Sequence, residues 1–342
     1  MKSSLSTVGA MELSETAMKL ETASKNGDIN YCLEKFPRFR ERLFSLHERL
    51  SVILPSAEAV CEKKQGDSVY LHENIQKALE AGKHVVVEKP FTHTVKQGEI
   101  LLNIADKRKK ILSVFQNRRW DGDFLTVRKI VENEWLGRLV EFESFYMRYR
   151  NFIQPNTWKE SASQGIGLTY NLGSHMIDQA VVLFGMPESV WADIDSMRAG
   201  SEIDDYYNIK LFYPDIKVSL KASYLVREEG PRYTLHGTNG SFLKYGIDPQ
   251  EEMLKQGGNP SMPNWGKEPE AQWGILNTEL NGIHFRGKVE TVAGNYSAYY
   301  DNIYNAIRKH TELEVMPEQA LNVLHIIEAA IESSHSGHII DF

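Results

Sequence analysis

The run HVVVEKPF, residues 84–91, sets a charged pair, Glu88 and Lys89, at the end of three consecutive valines and stops at Pro90. A second polar set lies in GIGLTYNLGSHMIDQAVVLFG, residues 165–185, where Asn171, His175 and Asp178 are spaced four and three apart. On a helix that spacing puts all three on one face. Met176, Ile177, Ala180, Val181 and Leu183 make the rest of such a helix apolar. A polar stripe there either lines a wet cavity or is satisfied by buried partners; a His–Asp pair that fixes packing is the bland alternative. The chemistry on offer is specific. An ammonium stabilises developing oxyanion charge, and an imidazole exchanges a proton near neutral pH.

The elements that must position these residues can be read around them. In LHENIQKALEAG, Ile75, Ala78 and Leu79 recur at helical spacing and Gly82 is a natural stop. Val85-Val86-Val87 predicts a parallel strand covered on both faces. Thr92 or Thr94 caps a second helix carrying Leu101, Leu102 and Ala105, which ends at Lys107-Arg108-Lys109-Lys110, where cations suit the helix dipole. Residues 111–115, ILSVF, form the next strand and deliver Gln116-Asn117-Arg118-Arg119-Trp120. Helix–strand–helix–strand is the unit of a doubly wound α/β sheet, which binds ligands outside the carboxyl ends of its strands. Both strand-end clusters therefore fall where such a sheet holds its ligand.

Past residue 135 the period changes. LVEFESFYMRYR alternates as a strand does, and YYNIKLFYPDIKVSLKASYL reads as two strands joined at Tyr213-Pro214-Asp215. RYTLHGTNGSFLKYG reads as a hairpin turning at Asn239-Gly240. Residues 249–290, rich in Gly, Pro, Asn and Gln, read as long irregular excursions, and a final helix runs from Pro317 to Gly337. The 342 residues suggest about two domains at ~150 residues each. A net charge of −7 argues against a nucleic-acid partner. Cys32 and Cys61 have no metal-type spacing, so no metal site is expected. No segment approaches the ~20 apolar residues of a membrane span, and the first twenty residues lack the apolar core of a secretory signal; a cytoplasmic protein is expected.

Taken together, HVVVEKPF, FQNRRWDGDF, YNLGSHMIDQ and GPRYTLHGTNGSFLKYGIDPQEE resemble the glucose–fructose oxidoreductase / inositol dehydrogenase (Gfo/Idh/MocA) family, and within it NADP-dependent scyllo-inositol dehydrogenase-like members. The resemblance runs from about residue 70 to the end. It implies a Rossmann-like domain over 1–118 and a C-terminal α+β domain over 119–342, built on a large, open, mostly antiparallel sheet, with helix 317–336 packing back on the first domain. It also implies NADP or NAD as cofactor and a hydride transfer to or from a CH–OH group of a sugar, polyol or cyclitol. A homo-oligomer, dimer or tetramer, formed through the sheet is implied as well.

Roles follow from the same resemblance. Lys89 polarises the reacting hydroxyl beside the nicotinamide, and His175 takes the proton, with Asn171 in the same catalytic set. Glu88 and Pro90 shape the nicotinamide pocket, and the Lys89–Pro90 bond is often cis in the family. Asp178 holds the imidazole or a substrate hydroxyl. His72, Asn117, Arg118 and Trp158 line the cofactor, and Tyr149 lines the substrate. Structural alternatives are a core Trp158 and a surface ion pair for Arg118.

Two departures from the family pattern stand out. Asparagine occupies position 171, where the family usually has aspartate; it can hydrogen-bond a hydroxyl but cannot serve as a carboxylate base. Residues 1–67 hold only Gly9, Gly27 and Gly66 and no G-x-G-x-x-G fingerprint, and they read as charged helical stretches that give way abruptly near residue 68. The alternative to an enzyme is therefore a non-catalytic member that lacks dinucleotide binding and acts as a binding or regulatory protein.

Overall fold

The computed structural model describes residues 11–26, 28–53, 69–155, 157–162 and 165–342. The chain divides into two compact units, residues 1–65 with 249–265, and residues 66–248 with 266–342. In the first, α1 (Met11–Lys25) and α2 (Ile29–Ile53) pack around Leu13, Leu20 and Phe39, in keeping with the helical reading of that stretch.

The second unit begins with α3 (Val69–Glu80), β1 (Val85–Val87), α4 (Val95–Arg108) and β2 (Leu112–Val114). Gly82, at φ 74°, turns the chain out of α3. The Thr94 side chain caps α4 by accepting from the Gln97 N–H. β1 and β2 pair in parallel, Val85 opposite Leu112 and Val87 opposite Val114. The expectation of a strand covered on both faces is only half met. Side chains alternate across a strand; Val87 is buried, but Val86, on the other face, is 42% exposed. The β2 strand is pinned from outside: the Ser113 hydroxyl donates to the Val315 carbonyl and accepts from the Tyr299 hydroxyl.

After α5 (Gly122–Glu132) come β3 (Leu139–Met147), α6 (Ser174–Phe184), β4 (Ser189–Asp195), β5 (Tyr206–Phe212), β6 (Lys217–Ser223), β7 (Tyr233–Gly237) and β8 (Gly240–Lys244). The stretch read as irregular is corrected by the structure. It contains α7 (Gln250–Lys255), which belongs to the first unit, and a hairpin of β9 (Gly274–Leu280) and β10 (Ile283–Val289). Ile283 and Phe285 of β10 are exposed, so the inside–outside alternation that announces a strand is missing there. Next come α8 (Ser297–Lys309), α9 (Pro317–Ser336) and β11 (Ile340–Asp341).

Among the described residues these strands form one nine-stranded sheet, in the order β10-β9-β8-β7-β3-β6-β5-β4-β11. Only β3 and β6 pair in parallel. Phe142 and Tyr146 of β3, Tyr207 and Ile209 of β5, and Leu220 of β6 turn to the core shared with Met176, Ile177 and Ala180 of α6. α9 packs against β4 and α6 on one side and against α4 and β2 on the other, and so ties the parallel pair to the large sheet. Gly337, at φ 74°, ends it where the sequence predicts.

Candidate active site

Two strand ends and one helix build the site. β1 ends in Glu88, Lys89 and a cis peptide to Pro90. β2 runs into Gln116 and a single 3-10 turn, Asn117–Trp120. The helix face opposite begins as a five-residue π turn, Thr169–Gly173, that runs on into α6. Asp204 starts that turn, accepting from the Thr169 N–H at 2.7 Å and from its hydroxyl at 2.8 Å. Gly167 lets it approach: at φ 115°, a Cβ there would lie 1.7 Å from an Asp204 carboxylate oxygen.

Lys89 and Asn171 meet, although 82 residues separate them. The Lys89 ammonium donates to the Asn171 backbone carbonyl at 2.5 Å and to its Oδ1 at 2.8 Å. His175 is 5% exposed, and its Nδ1 lies 3.1 Å from Gln116 Oε1. Burial, and then the positive charges of Lys89, Arg118 and Arg232, hold its pKa well below the ordinary imidazole value. A neutral ring on α6, facing the end of β2 and beside an ammonium, can accept a proton from a bound hydroxyl.

Asp178 does not hold the imidazole. Both its oxygens accept from Arg119, Oδ2 from Nε at 2.8 Å and Oδ1 from Nη2 at 2.6 Å. Arg119 also donates to the Glu314 carbonyl and to Gln319 Oε1, which joins α6 to the start of α9. A guanidinium fork matches a carboxylate in two parallel bonds, and Asp178 spends one lone pair of each oxygen on this one. The alternative of a surface ion pair for Arg118 is likewise corrected. Its side chain is buried, donates to Asp121 at 3.0 Å, and lies over the Tyr146 ring. Asp121 also accepts from the Tyr296 hydroxyl at 2.7 Å, and burial pushes its pKa up to about 8 against the pull of Arg118.

The remaining expected residues scatter. Burial raises the Glu88 pKa, opposed by Lys89, and burial, then the nearby Glu88, raises that of Tyr300. Asn117 is half-buried on the 3-10 turn. His72 lies on α3, with Nε2 buried and without a hydrogen-bond partner among the described residues. Tyr149 is 41% exposed; its backbone bridges Leu225 and its ring lies under Arg227. The Trp158 side chain lies outside the described residues, although its backbone forms a short 3-10 turn. Sequence reading missed Gln116, Arg119, Asp121 and Arg232. The run Gln116–Arg119 was visible at the strand end; the partners were not.

The group to be tested against this site is a nicotinamide dinucleotide. Its nicotinamide end fits: an ammonium and a neutral imidazole stand together at the carboxyl ends of a parallel pair. Glu88, Lys89 and Pro90 would hold that end. For the pyrophosphate, the sequence of the first 65 residues offers only two glycines, Gly9 and Gly27, and no G-x-G-x-x-G run.

Comparison with known proteins gives the context. Residues 128–342 match the model of the oxidoreductase family's C-terminal alpha/beta domain, and residues 47–116 match that of the same family's NAD-binding Rossmann fold. The second match reaches back past residue 70, further than the resemblance drawn from sequence motifs. The chain is 40% identical over 263 residues to scyllo-inositol 2-dehydrogenase (NADP(+)) IolW of Bacillus subtilis, covering 77% of this chain and 73% of that one. It is 41% identical over 257 residues to the uncharacterized oxidoreductase YdgJ of Escherichia coli, covering 75% and 73%. The crystal structure of a Bacteroides fragilis protein superposes with a TM-score of 0.75 at 51% identity, covering 82% and 80% of the two chains. NAD or NADP is thus the cofactor class, and the chain, with a Rossmann NAD-binding domain followed by an α/β domain on a large, mostly antiparallel sheet, belongs to the Gfo/Idh/MocA oxidoreductase family.

Proposed function

We propose that this protein is an NAD(P)-dependent dehydrogenase or reductase acting on a CH–OH group of a sugar, polyol or cyclitol. The observation that carries the reading is the meeting of Lys89 with Asn171 beside a buried, neutral His175 at the carboxyl ends of β1 and β2. The bound nicotinamide supplies the hydride acceptor or donor. Lys89 holds the hydroxyl oxygen and stabilises the negative charge that develops on it. His175 exchanges the hydroxyl proton; burial and the cations around it keep the resting ring unprotonated. Asn171 fixes the Lys89 ammonium and offers a hydrogen bond without a charge. The cyclitol preference rests on the likeness to an inositol dehydrogenase.

A non-catalytic reading is favoured by one observation, the absence of a glycine fingerprint in residues 1–65. The two readings part on one experiment. The purified chain is titrated with NADPH and NADH by tryptophan fluorescence, then assayed for nicotinamide reduction with inositols, hexoses and polyols. Saturable binding and turnover, lost by about 10²–10³-fold in Lys89→Ala with the fold intact, supports the enzyme. A folded protein with no dinucleotide affinity sinks it. The same proposal carries a cytoplasmic location and an oligomer formed through the open face of the large sheet. Light scattering on the purified chain checks the oligomer.

A further inference from the structure

Gln116 has no role in the mechanism above, yet it is buried at the end of β2 with its amide on the ring of His175. We propose that Gln116 is a positioning residue that fixes His175 as the Nδ1–H tautomer and leaves Nε2 as the proton-accepting atom of the site. The inference rests on the reading of His175 as the base. A ring with neither nitrogen fixed divides its hydrogen between them, and only one tautomer presents a lone pair to the substrate. A carboxylate bonded to Nδ1 would fix the tautomer too, but it would also stabilise the imidazolium. The glutamine oxygen accepts the same hydrogen bond without adding a negative charge.

The surroundings act in the same direction. Lys89 comes from the end of β1, Arg118 from the turn after β2, and Arg232 from the start of β7. The carboxylates nearby are engaged elsewhere: Asp178 with Arg119, Asp121 with Arg118, and Asp123 with Arg232 at 3.6 Å. On α6 itself, Gln179 is neutral and bonds the Arg118 carbonyl and the Tyr233 hydroxyl. A proton added to His175 would be one more positive charge among three, so the ring stays neutral at neutral pH. In hydroxyl oxidation the O–H bond breaks, its electron pair stays on oxygen, and the proton goes to Nε2. The reverse reaction needs the ring protonated first, so reduction weakens as pH rises.

The test reads the ring directly. Proton–nitrogen correlation spectra of the full chain, with His175 assigned by loss of its signals in His175→Asn, report which of its nitrogens carries the hydrogen. Nδ1–H is expected, with no protonation of the ring between pH 8 and 6. Gln116→Glu should raise the His175 pKa by about one to two units, and Gln116→Leu should let the tautomers mix. An Nε2–H ring in the parent protein overturns the proposal, as does an unchanged tautomer and pKa in both variants. Because the spectra read the ring and not turnover, the expected tautomer in a protein that fails the activity assay would refute the enzyme reading while leaving the assignment of the Nδ1–H tautomer to Gln116 intact.

Discussion

Replacing Asp178 by asparagine separates the two uses proposed for its carboxylate. The pair is deeply buried, with the Asp178 side chain 2% and the Arg119 side chain 7% exposed. Asparagine has nearly the same volume, so the change opens no cavity. It removes the charge and turns an N–H₂ donor toward a guanidinium that also donates. Breaking one side of a buried ion pair costs about 3–5 kcal/mol, because the other charge is left uncompensated. Arg119 keeps two neutral acceptors, the Glu314 carbonyl at 2.6 Å and Gln319 Oε1 at 2.9 Å, which favours the lower end, about 3 kcal/mol. At roughly 2–4 °C per kcal/mol for a domain of this size, the melting temperature should fall by about 6–12 °C. Scanning calorimetry measures it, alongside Arg119→Met and the double variant. The double variant should recover part of the loss, since no buried charge is then left alone. A melting temperature within about 1 °C of the parent, with activity gone, would refute the reasoning and return the carboxylate to substrate.

Other perturbations test the supports of the site. Asp121 has its folded pKa, about 8, above the unfolded value near 3.9, so its contribution to stability is full below that lower value and is lost as pH rises toward 8. Asp121→Asn should therefore flatten the decline in urea midpoint between pH 5 and pH 8, of which this carboxyl accounts for up to about 1.4 kcal/mol per unit; an unchanged slope would show the acid ionised throughout. Gly167→Ala forces a side chain into Asp204 at a backbone angle suited to glycine, and should cost roughly 2–5 kcal/mol by thermal melt; a cost under about 0.5 kcal/mol would mean that Asp204 does not anchor the π turn.

The elements were legible in the sequence wherever the signal was local. Helical spacing and Gly82 gave α3, the pair Thr92 and Thr94 gave the start of α4 with Thr94 proving to be the cap, and Asn239-Gly240 gave the β7–β8 hairpin. β10 was not legible, because a strand exposed on both faces has no apolar side to alternate. Val86 shows the converse. Three valines read as a doubly covered strand, but a sequence does not say how many neighbours will lie on each face.

Side-chain partners were the hardest to read, because each joins residues far apart in the chain. Lys89 and Asn171 were each singled out, but their bond spans 82 residues. His175–Gln116 and Asp178–Arg119 each span 59. The equal offset has a physical meaning. Gln116 precedes the 3-10 turn and Arg119 lies on it three residues later, and His175 and Asp178 are three apart on a helix, so the two edges meet in register and each residue finds its partner at the same step. A neutral acceptor followed three residues later by a guanidinium thus faces an imidazole followed three residues later by a carboxylate. The arrangement gives the acid to the arginine and the neutral amide to the histidine, which leaves the ring uncharged. Exchanging the two partners, glutamate at 116 and a neutral residue at 119, would hand the histidine a negative neighbour and reverse that assignment.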